Sequence, residues 1–385
     1  MSGVESGRYY SLDGMRGLAA IIVVLHHFGL QTNPGLAASG YLAVDFFFAL
    51  SGFVLAMAYQ DRLAEGLSVR RFMLQRVIRL YPLFLIGVAL GSVKAVGQIL
   101  MHDGTALSLP ALTMTLIASP MMLPTPGANL VSIFPLNTPG WSLFFEMIVS
   151  LAFGAALFRW RNSSLLLATA IAAMLLLPGI LSHDGRVAGL GTSWPDFAYG
   201  FPRVFFSFLT GMLIFRMTQG RERQVNGDVL IAILALIALL LGRPDSWFNA
   251  EYDIVVLMLI IPAVLWCGAI WEVPERHQRF FAWLGDISYP LYILHFPLLM
   301  IYLFVARGHA IHPALLGIVF LLAMLALSTL VLRLYDEPAR AILSMRFRMP
   351  GSCRFRGSAT LQPEPGRADN ASAQSKHKRN TPPPR

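Results

Sequence analysis

Apolar residues recur in runs near twenty long, and the polar residues that interrupt them fall at helical spacing. The runs predict ten spanning helices, at about 12–29, 41–59, 79–100, 139–158, 164–181, 199–217, 228–242, 253–271, 284–305 and 312–334. Segment 107–135 is also apolar, but Pro110, Pro120, Pro124, Pro126 and Pro135 break it, which predicts a re-entrant or surface element on the outer side. Past about 345 the pattern stops. Residues 346–385 are rich in Arg, Lys, Pro, Ser and Gly and read as a disordered basic cytoplasmic tail behind a membrane core of 1–340. No internal repeat is visible.

Composition agrees with this reading. Of 385 residues, 56% are hydrophobic and 13% charged, where a soluble domain carries about a quarter charged; mean hydropathy is +0.60. The expected fold class is an all-α polytopic membrane helix bundle. The first run lacks a small-residue cleavage site and is not expected to be a signal peptide.

The net charge of +9 comes mostly from 27 Arg against three Lys, and for such a chain it is topology information before it is evidence for nucleic acid. With the amino terminus inside, the four inner loops (60–78, 159–163, 216–227, 272–283) hold eleven Arg. The outer connections hold Arg186, Arg243 and Arg307. Both termini are therefore expected in the cytoplasm. Cys267 sits in an apolar run and Cys353 in the tail, so neither a disulfide nor a metal-type Cys/His spacing is expected.

The polar residues inside the runs carry the chemistry. In "LDGMRGLAAIIVVLHHFGL", Arg16 and His27 are eleven residues apart, about 20° from a common line and about 16 Å along the axis. Asp13 shares the stripe; His26 points elsewhere. The stripe leads from the cytoplasmic face to an imidazole deep in the membrane, or serves helix packing and snorkelling. Asp45 in "YLAVDFFFALSGFVLA" needs a cation, for which Arg16 and His27 are the candidates, and Ser51-Gly52 suits close helix packing. Arg76 and Arg79 in "RVIRLYP" share a face at the inner surface. They suit a phosphorylated cofactor, or lipid headgroups and orientation. In "NTPGWSLFFEM", Ser142 and Glu146 share a face, and Trp141 suits an interface anchor. In "LGDISYPLYILHFPLLMIY", Ser288, Tyr292 and His295 form a second stripe with Tyr289 offset. Asp336 and Glu337 precede Pro338, where the last helix is expected to stop.

Together these segments resemble the acyltransferase-3 family, membrane acyltransferases that O-acetylate bacterial surface glycans. The resemblance covers about 8–340 and rests on Arg16 and His27 within "LDGMRGLAA…HH", on "VDFFFALSGFVL", on Arg76 and Arg79 in "RVIRLYP", on "WSLFFE" and on "ISYPLYILHFPL". It implies ten core helices in the bacterial inner membrane, acetyl-CoA as cytoplasmic acyl donor and co-substrate, and a glycan or glycolipid hydroxyl as acceptor. It also brings in the lipid bilayer and other glycan-assembly proteins as partners, with no nucleic acid and no metal.

The mechanism expected from these residues puts CoA phosphates on Arg76 and Arg79, the pantetheine arm along the Asp13–Arg16–His27 stripe, and the thioester at His27. His27 acts as general base, with Asp45 or Glu146 fixing its tautomer. Ser142, Tyr292 and Arg16 are the candidate oxyanion donors. An acyl-histidine relay is the variant. Two other classes use the same residues: a proton-coupled transporter and a non-catalytic component of a glycan-assembly complex.

Overall fold

The computed structural model describes residues 8–127, 132–225, 227–242, 249–307, 309 and 311–347. The tail expected at 346–385 lies outside them beyond Phe347. Tyr9–Cys353 forms one compact unit, and its described part is helical apart from a parallel two-residue pairing of Gln224–Val225 with Trp271–Glu272.

The helices are α1 (Tyr10–Thr32), α2 (Ala43–Ala64), α3 (Val69–Leu100), α4 (Leu109–Ala118), α5 (Gly140–Ala155), α6 (Asn162–Ser182), α7 (Gly200–Thr218), α8 (Asp228–Leu241), α9 (Asn249–Val255), α10 (Ile261–Ile270), α11 (Glu275–Ala306), α12 (Pro313–Val331) and α13 (Glu337–Arg346). Among the described residues, seven helical segments are long and apolar enough to cross a membrane, not ten. The three that fall short do so for two reasons. α1 is long enough, but Asp13, Arg16, His26 and His27 lower its hydropathy. α5 and α8 have 16 and 14 residues, about 24 and 21 Å, against a hydrocarbon core of about 30 Å. Among its described residues, segment 107–135 contributes the ten-residue α4 and a short 3-10 turn.

Several helices outrun their apolar stretches. α3 starts at Val69, where Ser68 Oγ caps Arg71 N–H, so Arg70, Arg71, Arg76 and Arg79 all ride on its first turns. α11 starts at Glu275 rather than 284. Hydropathy marks only the greasy part of a helix; a polar helical extension is invisible to it. The expected stop before Pro338 is also corrected. A π-turn at Leu332–Asp336 carries the last span into α13, with Pro338 in its first turn, where no intrahelical N–H is required.

α1 packs chiefly on α11 and α2 on α7. Glycines let both pairs touch. A Cβ on Gly17 would lie 2.5 Å from Leu284 O, and one on Gly285 would lie 2.6 Å from Asp13 Cβ. Likewise a Cβ on Gly52 would clash with Phe208 O, and one on Gly211 with Ala49 O. Without a hydrophobic drive between helices in lipid, such close backbone approach is what holds a bundle. Gly14 against Phe281, Gly17 against Leu284 and His27 beside His295 keep an almost constant sequence offset, so α1 and α11 run parallel and their polar stripes meet. Pro297 interrupts α11 by leaving Ile293 O without its N–H; Asn137 Nδ2 donates to that carbonyl at 3.0 Å.

Candidate active site

A cavity in the bundle is lined by polar side chains from five helices: Arg16, Ser51, Arg76, Arg79, Ser142, Glu146, Ser288, Tyr289 and Tyr292. Phe47, Phe48, Leu50, Val54, Leu55, Leu80 and Leu143 supply its apolar lining. Three guanidiniums from α1 and α3 thus face one space. Arg16 donates from Nη2 to Asp13 Oδ1 at 2.9 Å and to Gly285 O at 2.7 Å. Arg76 pairs with Glu146, whose Oε1 also accepts from Ser51 Oγ at 3.0 Å. Arg79 lies in the field of Arg340, Arg16, Arg76 and Asp336, and Asp336 pairs with Arg340 at 2.6 Å. Tyr289 donates to Leu80 O, tying α11 to α3.

The cavity closes at Tyr292. Its hydroxyl is 2.8 Å from Ser142 Oγ. Ser142 donates its one hydrogen to Pro139 O at 2.9 Å, so Tyr292 is the donor of the pair. Phe47 meets the Tyr292 ring edge-on at 5.5 Å. His27 and His295 do not line the cavity. This corrects the expected unbroken groove from the guanidiniums to His27: an aromatic wall stands at the cavity's end, and one turn beyond it on α11 lies His295, with its ring 5.0 Å from that of His27.

The carboxylate partners differ from expectation. Asp45, fully buried, pairs with neither Arg16 nor His27 but with Arg203 of α7, through Arg203 Nε at 2.9 Å and Nη2 at 2.8 Å. The glycine-mediated α2–α7 crossing brings the two helices face to face, while Arg16 is turned to α11. Arg203 also donates to Val187 O and Leu190 O at 3.0 Å and stands 5.1 Å from the Trp141 ring centroid. Trp141 is therefore buried in the bundle and is not an interface anchor. Glu146, on Arg76 and Ser51, is not on His27 either. Among the described residues no carboxylate touches His27: its Nδ1 lies 3.0 Å from Val23 O and 3.2 Å from His295 Nε2. His26, turned away as expected, bonds Ala37 O at 2.8 Å.

Arg203 was not singled out in the sequence, although a lone arginine in "GFPRVFFSFLTG" is the same anomaly as Asp45 and the natural complement to it. Among the described residues no group of three or more His, Cys, Asp or Glu side chains is arranged to hold a metal.

Residues 9–333 match the model of the acyltransferase domain family (acyltransferase-3). The chain belongs to the acyltransferase-3 family. The polar stripes of α1 and α11, the α3 arginine pair and the α5 Ser-Glu pair are thus features of an acyltransferase-3 protein. The chain is also similar to curated relatives. Over 377 residues it is 26% identical to a putative membrane-bound transacylase of Komagataeibacter xylinus, covering 92% of this chain and 88% of that one. It is 26% identical over 280 residues to an exopolysaccharide production protein of Rhizobium meliloti, covering 70% and 77%. It is 24% identical over 313 residues to a peptidoglycan O-acetyltransferase of Listeria monocytogenes, covering 75% of this chain and 49% of that one. No solved structure matches.

Proposed function

We propose that this acyltransferase-3 protein moves an acyl group, acetyl by the family's habit, from cytoplasmic acyl-CoA to a hydroxyl of a surface glycan or exopolysaccharide. The observation that supports the reading best is the convergence of Arg16, Arg76 and Arg79 on one cavity that ends one helical turn from a histidine pair. Guanidinium forks suit phosphate oxygens, and the apolar part of the cavity lining suits a thin pantetheine arm. The chain crosses the bacterial inner membrane ten times in this reading, with α1, α5 and α8 completing the set and both termini in the cytoplasm.

In the reaction, the CoA phosphates sit on Arg76 and Arg79, and the thioester passes Tyr292 as that side chain turns from Ser142. His27 takes the acceptor hydroxyl proton, and the oxygen attacks the thioester carbonyl. Tyr292, released from Ser142, is placed to donate to the developing oxyanion. Collapse breaks the C–S bond, and His27 returns the proton to the departing thiolate. Asp13 steadies Arg16, and Asp45 with Arg203 seats Trp141 and the outer loop. Mass spectrometry of surface glycans from a deletion strain tests this: one O-acyl substituent disappears and returns with the wild-type gene. Unchanged glycans with altered solute flux would support a transporter instead.

A further inference from the structure

The hydrogen-bond geometry around the two histidines assigns their tautomers, and with them a role for His295. His295 is fully buried. Its Nδ1 lies 2.6 Å from Tyr292 O and 3.2 Å from Leu291 O. A carbonyl only accepts, so Nδ1 carries the hydrogen, and in the neutral ring Nε2 carries the lone pair. That lone pair faces His27 Nδ1 at 3.2 Å. By the same rule Val23 O, 3.0 Å away, requires a hydrogen on His27 Nδ1. The two requirements agree: His27 Nδ1–H is shared between Val23 O and His295 Nε2. The nitrogen left with a free lone pair is His27 Nε2, which no described group hydrogen-bonds.

We infer that His295 is the positioning residue of the base His27, doing with a neutral imidazole what a carboxylate does in a serine-hydrolase triad. The inference rests on the acyltransferase reading above. Both carboxylates expected in this role are committed elsewhere, Asp45 to Arg203 and Glu146 to Arg76. A neutral partner also suits the place. Beside His27 a carboxylate would be an additional buried charge, whereas an imidazole accepts the same hydrogen bond at far lower desolvation cost. When Nε2 of His27 takes the hydroxyl proton, Nδ1–H stays on His295 Nε2 and the ring keeps its orientation. The parallel docking of α1 on α11 through Gly17 and Gly285 sets the separation of the two rings.

The test uses the full-length protein in nanodiscs, labelled with 15N-histidine, with signals assigned through His27→Ala and His295→Ala. His27 is expected as the Nδ1–H tautomer. In parallel, acyl-transfer kinetics are measured for His295→Phe, His295→Gln and His295→Asn. His295→Phe lowers kcat by about 10²-fold with the KM for acyl-CoA unchanged, and Gln or Asn, whose side-chain oxygen accepts, restores part of it. An Nε2–H tautomer on wild-type His27, a wild-type kcat in His295→Phe, or no rescue by either amide overturns the inference. A wild-type protein without any acyl transfer would remove the acyltransferase reading instead, and the spectra alone would then decide the tautomer.

Discussion

Removing Arg203 leaves Asp45 as an unpaired charge inside the bundle, so Arg203→Met should destabilise the protein by about 3–5 kcal/mol. Thermal unfolding in detergent is the measurement, and the double change Asp45→Leu with Arg203→Met should cost less than the single one, because no charge is stranded. The Arg76–Glu146 pair makes a different prediction. Arg76 lines the donor cavity, so Arg76→Ala should weaken acyl-CoA binding by about 10- to 100-fold, the value of one or two charge-assisted hydrogen bonds; titration calorimetry reads it directly. At this scale the sequence revealed which residues were anomalous but not whom they touch. Asp45, Glu146 and His27 stood out because charged and ionisable groups are rare in apolar runs. Their partners depend on which helix faces which, and that depends on glycine contacts that no polar pattern records.

The helix pairs carry the next level. α1 and α11 approach through Gly17 and Gly285, where an added side chain meets backbone or Asp13. Gly285→Val should push the helices apart, separate His27 from His295 and reduce acyl transfer while leaving the α2–α7 contact intact; cysteine cross-linking across each pair distinguishes the two. At the start of α1, Glu272 accepts from Tyr10 N, Ser11 N, Ser11 Oγ and Arg223 Nη1 at 2.9–3.2 Å. It latches that helix to the loop before α11. Burial lifts the Glu272 carboxyl above its usual 4.5, more than the Val273 N–H, Ser11 and Arg223 lower it. The folded state therefore binds this proton more tightly than the unfolded chain. Its contribution to stability is full below the unfolded value and falls as pH rises through the raised one. Thermal melting of wild type against Glu272→Gln should show that slope in the wild type and a shallower one in the variant. Most spans were legible from their apolar runs. The polar extensions of α3 and α11 and the π-turn through Pro338 were not, because hydropathy senses greasiness and not helicity.

For the whole molecule, the long apolar helices and the family match show a polytopic membrane bundle, and the arginine asymmetry of the loops supports the proposal that its cationic cavity opens to the cytoplasm. A fluorescent protein fused to the carboxyl terminus should fluoresce, and alkaline phosphatase in the same place should stay inactive, if both ends lie inside as proposed. The sequence located the two polar stripes and their helices, yet it suggested one continuous groove where the structure has a cavity, an aromatic wall and a histidine pair beyond. A groove is a property of side chains from several helices packed together, and Tyr292, hydrogen-bonded to Ser142 on α5 and packed against Phe47 on α2, interrupts it. The proposed account stands on His27 as the base that takes the acceptor's proton while the acceptor oxygen receives an acyl group drawn from the cytoplasm. The direct measurement is the O-acyl content of surface glycans in a deletion strain that carries His27→Ala at wild-type membrane levels, together with acyl-CoA binding by the purified variant. Lost acylation with donor binding intact is the predicted result; glycans acylated as in the wild type would contradict it.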